Sequence, residues 1–255
     1  MHLACDRDQN SPVIPLLLAH PDIDVNSKDR LGVTPFDYAS AFACTLCVRE
    51  MLKDSRVKVN EPNGDGQTPI WSAASYGYLD IVKWWIATGR EMDLGKPGDV
   101  DNTDALGSAK KNGWTEVVTL LERFKENPEE TRHMVRVELG WYDDLAAEMF
   151  ALVVFVSDGL LQVTQGNQPT LTLAARFLSI AFRKLSRKSH NPNPKPPDFG
   201  SLRFFRIATR LPLDLQMVLC HRVVGSGKEI IPGKDSEVAF KELAKTLLWS
   251  SIFTN

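Results

Sequence analysis

A chain of 255 residues with 43% apolar and 24% charged residues has the composition of a packed protein, which excludes global disorder. Its 30 Lys and Arg against 32 Asp and Glu leave a formal net charge of -2, so only a local patch could attract nucleic acid or an acidic membrane. The most apolar run, residues 149–156, falls well short of the ~20 residues that cross a bilayer as a helix.

The opening MHLACDRDQNSP lacks the basic-then-apolar order of a secretory signal. Four cysteines are too sparse for a disulfide framework. An intracellular protein, cytoplasmic or nuclear, without membrane attachment, is expected.

The first half repeats itself. Ile23-Asp24-Val25-Asn26 returns 34 residues later as Val57-Lys58-Val59-Asn60, and Thr34-Pro35-Phe36 returns as Thr68-Pro69-Ile70. A looser copy follows at an offset of 36: Ala73, Gly77, Ile81 and Val82 correspond to Ala109, Gly113, Val117 and Val118. A period of this size signals a repeat architecture.

Each unit carries the same instructions. A polar turn with glycine (Asp29-Arg30-Leu31-Gly32; Asn63-Gly64-Asp65-Gly66) precedes a Thr-Pro pair. Thr caps a helix, and Pro fits its first turn because the missing N–H has no intrahelical partner there. Small residues then let helices approach closely. Gly77 and Gly113 stop the first helix where a left-handed residue is needed. A second helix with a wider apolar face follows, through Ile81, Val82, Trp85 and Ile86 in one unit and Val117, Val118, Leu120 and Leu121 in the next.

This pattern resembles the ankyrin repeat. DGQTPIWSAASYGYLDIVKWWI, residues 65–86, follows the family consensus nearly throughout, with Trp71 in place of its His. The unit from Asp29 matches well, although Ala43 stands at the family's helix-ending Gly. The unit from Asp99 replaces Thr-Pro with Asp104-Ala105 and the turn Gly with Asn102. His2-Leu3-Ala4 resembles the middle of a first helix, so the chain starts inside a repeat, with either further repeats upstream or a degraded cap.

Beyond Lys125 the repeat pattern stops. Asn127-Pro128-Glu129-Glu130 reads as a helix start, with acids at the positive helix end. Met134, Val135, Val137, Leu139 and Trp141 form an apolar set. Residues 145–156, apolar nearly all round, read as the central helix of a second core. Residues 235–248 read as an amphipathic helix. Between these, Arg176–Arg183 is echoed by Arg203–Arg210, joined by a polar, Pro-rich stretch expected to be a mobile loop near 184–201. The fold class is therefore all-α: an ankyrin solenoid over 1–126 and a helical carboxyl-terminal domain over 127–255.

Candidate chemistry is sparse. Residues 176–210 hold nine Lys or Arg and one Asp, but Phe177, Ile180 and Ala181, like Phe204, Ile207 and Ala208, fall at helical spacing. That spacing favours buried faces with solvated arginines over nucleic-acid stacking. Gly225-Ser226-Gly227-Lys228 fails the phosphate-loop pattern on both sides and reads as a helix-ending turn. Cys44 and Cys47 lack the further ligands a metal site needs, and core packing is the expectation for Cys47. No catalytic residue, metal, cofactor or small-molecule substrate is expected, and the chain is not read as an enzyme.

The resemblance implies a partner protein bound on a concave face built from turn tips and first-helix surfaces. The implied residues are Arg30, Leu31 and Val33; Asp65 and Gln67; Asp101 and Thr103; and Phe42, Tyr76 and Lys111 at helix ends. Trp71 has a second reading as a side chain packed between repeats. An alternative function is that of a ubiquitin-ligase adaptor, because Leu211-Pro212-Leu213-Asp214-Leu215 resembles the opening of F-box-like segments.

Overall fold

The computed structural model describes residues 1–20, 22–95, 103–159, 204–205 and 207–253, without the side chains of 246–253. No strand occurs among the described residues. The helices are α1 (Ile14–Ala19), α2 (Pro35–Ala41), α3 (Thr45–Leu52), α4 (Pro69–Ser75), α5 (Leu79–Thr88), α6 (Ala105–Lys111), α7 (Thr115–Glu126), α8 (Pro128–Glu138), α9 (Trp141–Ser157), α10 (Leu213–Val224) and α11 (Gly233–Phe253). The mobile basic loop expected near 184–201, and the first of the two Arg-Phe copies, lie outside the described residues. The chain divides into two compact units, Met1–Leu139 and Gly140–Asn255.

In the first unit, α2/α3, α4/α5 and α6/α7 are consecutive helix pairs. The first helices stack as one row, α2 on α4 on α6, and the second helices as another, α3 on α5 on α7. The starts follow the cap chemistry. The Thr34 hydroxyl accepts from the Asp37 N–H at 3.2 Å, and Asp104 Oδ1 accepts from the Gly107 N–H at 2.7 Å. Asp104 thus keeps a cap in the unit that lacks Thr-Pro. Gly77 and Gly113 end their first helices at φ +76° and +78°, and Ala43 takes the same left-handed turn at φ +58°.

The 34-residue spacing has a hydrogen-bonding reason. Asn26 Nδ2 donates to Arg56 O at 2.9 Å and its Oδ1 accepts from the Lys58 N–H at 2.7 Å. One unit on, Asn60 repeats this, donating to Glu91 O at 3.0 Å and accepting from the Asp93 N–H at 3.1 Å. One amide therefore satisfies a donor and an acceptor of the next unit's backbone, which leaves few unpaired groups in the seam.

Arginines form a second ladder. Helix ends leave carbonyls without intrahelical partners. Arg56 donates to Leu18 O in the last turn of α1 and to His20 O just after it, and Arg90 donates to Asp54 O and Val57 O beyond α3. After α5 the role passes to α8, where Arg132 Nε reaches Ile86 O at 3.2 Å and Arg136 Nε reaches Ala87 O at 2.7 Å.

Helix α8 packs against α5 and α7 and lies in the first compact unit. Compactness divides the chain after Leu139. The α8 start itself follows the local signal: Asn127 Oδ1 accepts from the Glu130 N–H at 3.3 Å, and Asn127 Nδ2 donates to Glu130 at 2.8 Å. Phe36, Met51, Ile70, Ile81, Trp85, Ile86 and Leu121 are fully buried in this unit, each worth about 1.5–3 kcal/mol of burial.

In the second unit α9 is the central helix, with α10 and α11 packed against it. Leu145, Ala146, Met149, Phe150, Leu152 and Val153 are buried along α9, and Phe240 of α11 lies against Phe150 and Phe155 at centroid distances of 6.1 and 5.9 Å. Gly225, at φ +81°, ends α10. The segment after it is a helix-ending turn: the Ser226 N–H donates to His221 O at 2.9 Å, and Lys228 Nζ pairs with Asp143 of α9 at 2.6 Å.

Candidate partner-binding surface

The turn tips are built by side chains that hold backbone. Asp29 Oδ1 accepts from the N–H groups of Leu31 and Val33 at 2.8 and 2.9 Å, and Gly32 closes the turn at φ +74°. Arg30 and Leu31 sit at the tip, with Leu31 73% exposed. In the next unit Asn63 takes the place of Asp29. Its Oδ1 accepts from the N–H groups of Asp65 and Gln67, both at 3.1 Å. The two tips are joined directly, since the Gly64 N–H donates to Leu31 O at 2.9 Å. A Cβ on Gly64 would lie 2.6 Å from that carbonyl oxygen, so the approach requires glycine.

Not every expected residue is an open tip. Val33 is half-buried, and its carbonyl accepts from His2 Nε2 at 2.9 Å. Gln67 is half-buried, with its side-chain oxygen accepting from Asn63 at 3.4 Å. Thr103 is half-buried, and its carbonyl accepts the Trp71 indole N–H at 3.0 Å. Trp71 is itself 8% exposed, so it packs between repeats, as its second reading had it. His2 and Trp71 do the same work, each reaching the residue before the next unit's cap. Asp65 is exposed, and Asp101 lies outside the described residues.

At the far ends of the first helices, Phe42 follows α2 and Tyr76 follows α4, each 55% exposed. Phe42 lies on Tyr38 with centroids 4.5 Å apart, and Tyr76 stacks on Tyr78 at 5.8 Å. Lys111 is exposed in the last turn of α6. Sequence reasoning missed Trp114. It is 43% exposed, donates its indole N–H to Ser75 O at 2.8 Å, and would come within 2.4 Å of a Cβ on Gly77. The signal was available: Trp114 follows Tyr78 at the same 36-residue offset as the other third-unit matches.

The thiols contribute packing. Cys5 and Cys47 are buried, with Cys5 Sγ 3.6 Å from Met51 Sδ and Cys47 Sγ 3.6 Å from Arg7 O. Burial pushes both thiols up to about 12. No group of three or more metal-ligating side chains occurs among the described residues.

Stacked helix pairs joined by bonded turn tips define an ankyrin-repeat array. The family model for ankyrin repeats (3 copies) matches residues 1–95, and this part of the chain is of that family. Over 146 residues the chain is 37% identical to the human and the bovine SMC5-SMC6 complex localization factor protein 1. That match spans 55% of this chain and 14% of those relatives. A third relative, the rat serine/threonine-protein kinase TNNI3K, is 29% identical over 89 residues, 32% of this chain and 11% of the kinase. The ankyrin repeats mark a protein-interaction module. No described helix is long and apolar enough to cross a membrane.

Proposed function

We propose that the array binds a partner protein along a concave strip comprising Arg30, Leu31, Val33, Asp65, Gln67, Asp101 and Thr103, flanked by Phe42, Tyr76 and Lys111. The observation that carries this reading is the bond between adjacent tips, Gly64 N–H to Leu31 O. It holds the exposed tip residues of two units as one rigid surface, and rigidity lowers the entropic cost of binding. Exposed Leu31, Phe42 and Tyr76 supply apolar and aromatic area, and Tyr and Arg are residue types that anchor interfaces. The helical domain that follows carries no catalytic role in this reading. By likeness to the relatives named as localization factors, the chain places a protein complex. Four free cysteines support an intracellular setting, cytoplasmic or nuclear.

The test is affinity capture with mass spectrometry, comparing the intact chain with the double variant Arg30→Ala/Tyr76→Ala. Loss of the same captured protein, with an unchanged circular dichroism spectrum, supports the strip. Full retention of every captured protein removes it.

A second reading, an F-box-like adaptor, draws on Leu213 and Leu215, which are 57% and 47% exposed at the start of α10. It requires binding of a Skp-type adaptor at micromolar concentration, lost in Leu213→Ala/Leu215→Ala.

A further inference from the structure

The second tip contains the dipeptide Asn63-Gly64. An asparagine amide is most easily lost before glycine, because no Cβ shields the backbone nitrogen that follows. The nitrogen of Gly64 attacks Cγ of Asn63: the N–Cγ bond forms, the Cγ–Nδ2 bond breaks, and ammonia leaves with the proton of the Gly64 N–H. Water then opens the cyclic imide at one carbonyl or the other, giving aspartate or isoaspartate. No further reactant is needed.

The fold ties down both reacting groups. The Gly64 N–H donates to Leu31 O of the preceding tip at 2.9 Å. The Asn63 side chain is held at both of its polar atoms: Oδ1 accepts from the Asp65 and Gln67 N–H groups at 3.1 Å, and Nδ2 donates to Gln67 Oε1 at 3.4 Å. The backbone around them is closed as well, since the Asn63 N–H donates to Gln67 O and the Gly66 N–H to Asn63 O, each at 3.0 Å. Bringing Gly64 N onto Cγ requires rotation about the Asn63 Cα–C bond, which carries the N–H away from Leu31 O. We propose that Asn63-Gly64 is a modification site that the joined tips keep closed, deamidating only when the Gly64 N–H has left Leu31 O. This goes beyond the recognition strip and depends on no partner.

The two products differ in consequence. Asp29 stands 34 residues before Asn63 and builds the same turn with a carboxylate, accepting from the Leu31 and Val33 N–H groups. Aspartate at this position therefore keeps the tip and adds a negative charge beside Asp65. Isoaspartate runs the main chain through Cγ, inserts a methylene into the backbone and removes the acceptor of the Asp65 and Gln67 N–H groups, so the tip cannot close as before. Asn112-Gly113 is the same dipeptide in another setting, where the Gly113 N–H donates to Lys110 O of α6 at 3.2 Å and Asn112 Nδ2 donates to Ser75 O at 2.9 Å. It is a reference within the same chain.

The experiment ages the intact chain in neutral buffer, native and in denaturant. Peptides over the two dipeptides are followed by mass spectrometry for the amide-to-acid mass gain, with electron-transfer fragmentation to distinguish isoaspartate, and exchange of the Gly64 amide is measured in the same samples. Asn63 should convert at least about tenfold more slowly in the native chain than in the denatured one, which corresponds to about 1.4 kcal/mol against local opening. Gly32→Ala leaves the dipeptide intact and sets a Cβ 2.8 Å from Gly64 N, so it should quicken conversion at Asn63 and not at Asn112. Should that variant fail to fold, urea below the unfolding transition takes its place, and conversion at Asn63 should rise in proportion to exchange at Gly64. Asn63→Asp should melt with the parent. Equal rates in the native and denatured parent, or conversion at Asn63 that stays level while Gly64 exchange rises, overturns the proposal. Since no readout involves a bound protein, failure of the capture experiment and failure of this proposal are distinguishable.

Discussion

Replacing Arg90 by Met would test whether the arginine ladder holds the repeats together. The Arg90 guanidinium donates through Nη1 to Asp54 O at 3.0 Å and through Nη2 to Val57 O at 2.5 Å, tying the unit of α5 to the carbonyls beyond α3. Burial pulls the guanidinium below its ordinary value, with Asp54 opposing, so the charge sits in partly dry surroundings. Hydrogen bonds from a charged donor are worth about 1.5–3 kcal/mol each. Met retains the aliphatic stem, so the variant removes the donors rather than the packing. Relief of the guanidinium's desolvation and water reaching the half-buried edge return part of the loss, leaving about 2–3 kcal/mol.

Hydrogen exchange of the intact chain, read on peptides covering residues 53–60, is the suitable assay because it localises opening within an array. At about 1.4 kcal/mol per decade, exchange there should quicken about 30- to 140-fold in Arg90→Met. Arg90→Lys, able to fill one carbonyl, should fall between. Protection in Arg90→Met within about threefold of the parent would refute the argument that these bonds couple neighbouring units.

Three further outcomes follow from the same geometry. Gly64→Ala places a Cβ against Leu31 O and breaks the tip-to-tip bond; it should cost about 1–3 kcal/mol in thermal unfolding, and an unchanged melting temperature would contradict it. Ala43→Gly removes the left-handed penalty at φ +58°; against the extra freedom of glycine in the unfolded chain it should gain about 0.5–1 kcal/mol in urea unfolding, and a loss would show that the Ala43 methyl packs. Cys5, Cys47 and Cys220, each pushed up to about 12 by burial, should resist iodoacetamide near neutral pH while all four cysteines label in denaturant. Rapid native labelling of the three would mean that their helices open readily.

The repeat array was legible because its rules are local. Thr-Pro at 34 and 68, the glycine turns, and Val-Asn at 25–26 and 59–60 each specify a cap, a turn or a bond within a few residues of themselves. The start of α8 and the end of α10 were legible for the same reason, through Asn127-Pro128 and Gly225. Four features were not. Asp37 reads as an ordinary acid in a first helical turn, and its burial arises only when α4 of the next repeat closes over it. Thr103 reads as a tip residue, yet its carbonyl is taken by Trp71 from the preceding unit. Trp114 reads as one more aromatic at a helix start until its ring covers Gly77. Helix α8 reads as the start of something new because it carries no repeat landmark, although its arginines take over the ladder.

By itself, then, the amino-acid sequence determined where helices begin and end, that they come in pairs, and that the pairs recur with a fixed period. Those are properties of short stretches of backbone and the side chains that cap them. Tertiary structure alone decided which polar groups are shared between neighbouring units, which acid is buried and where compactness draws the first boundary. Each of these depends on which surface of a neighbouring helix arrives to exclude water, and no spacing within one unit encodes that.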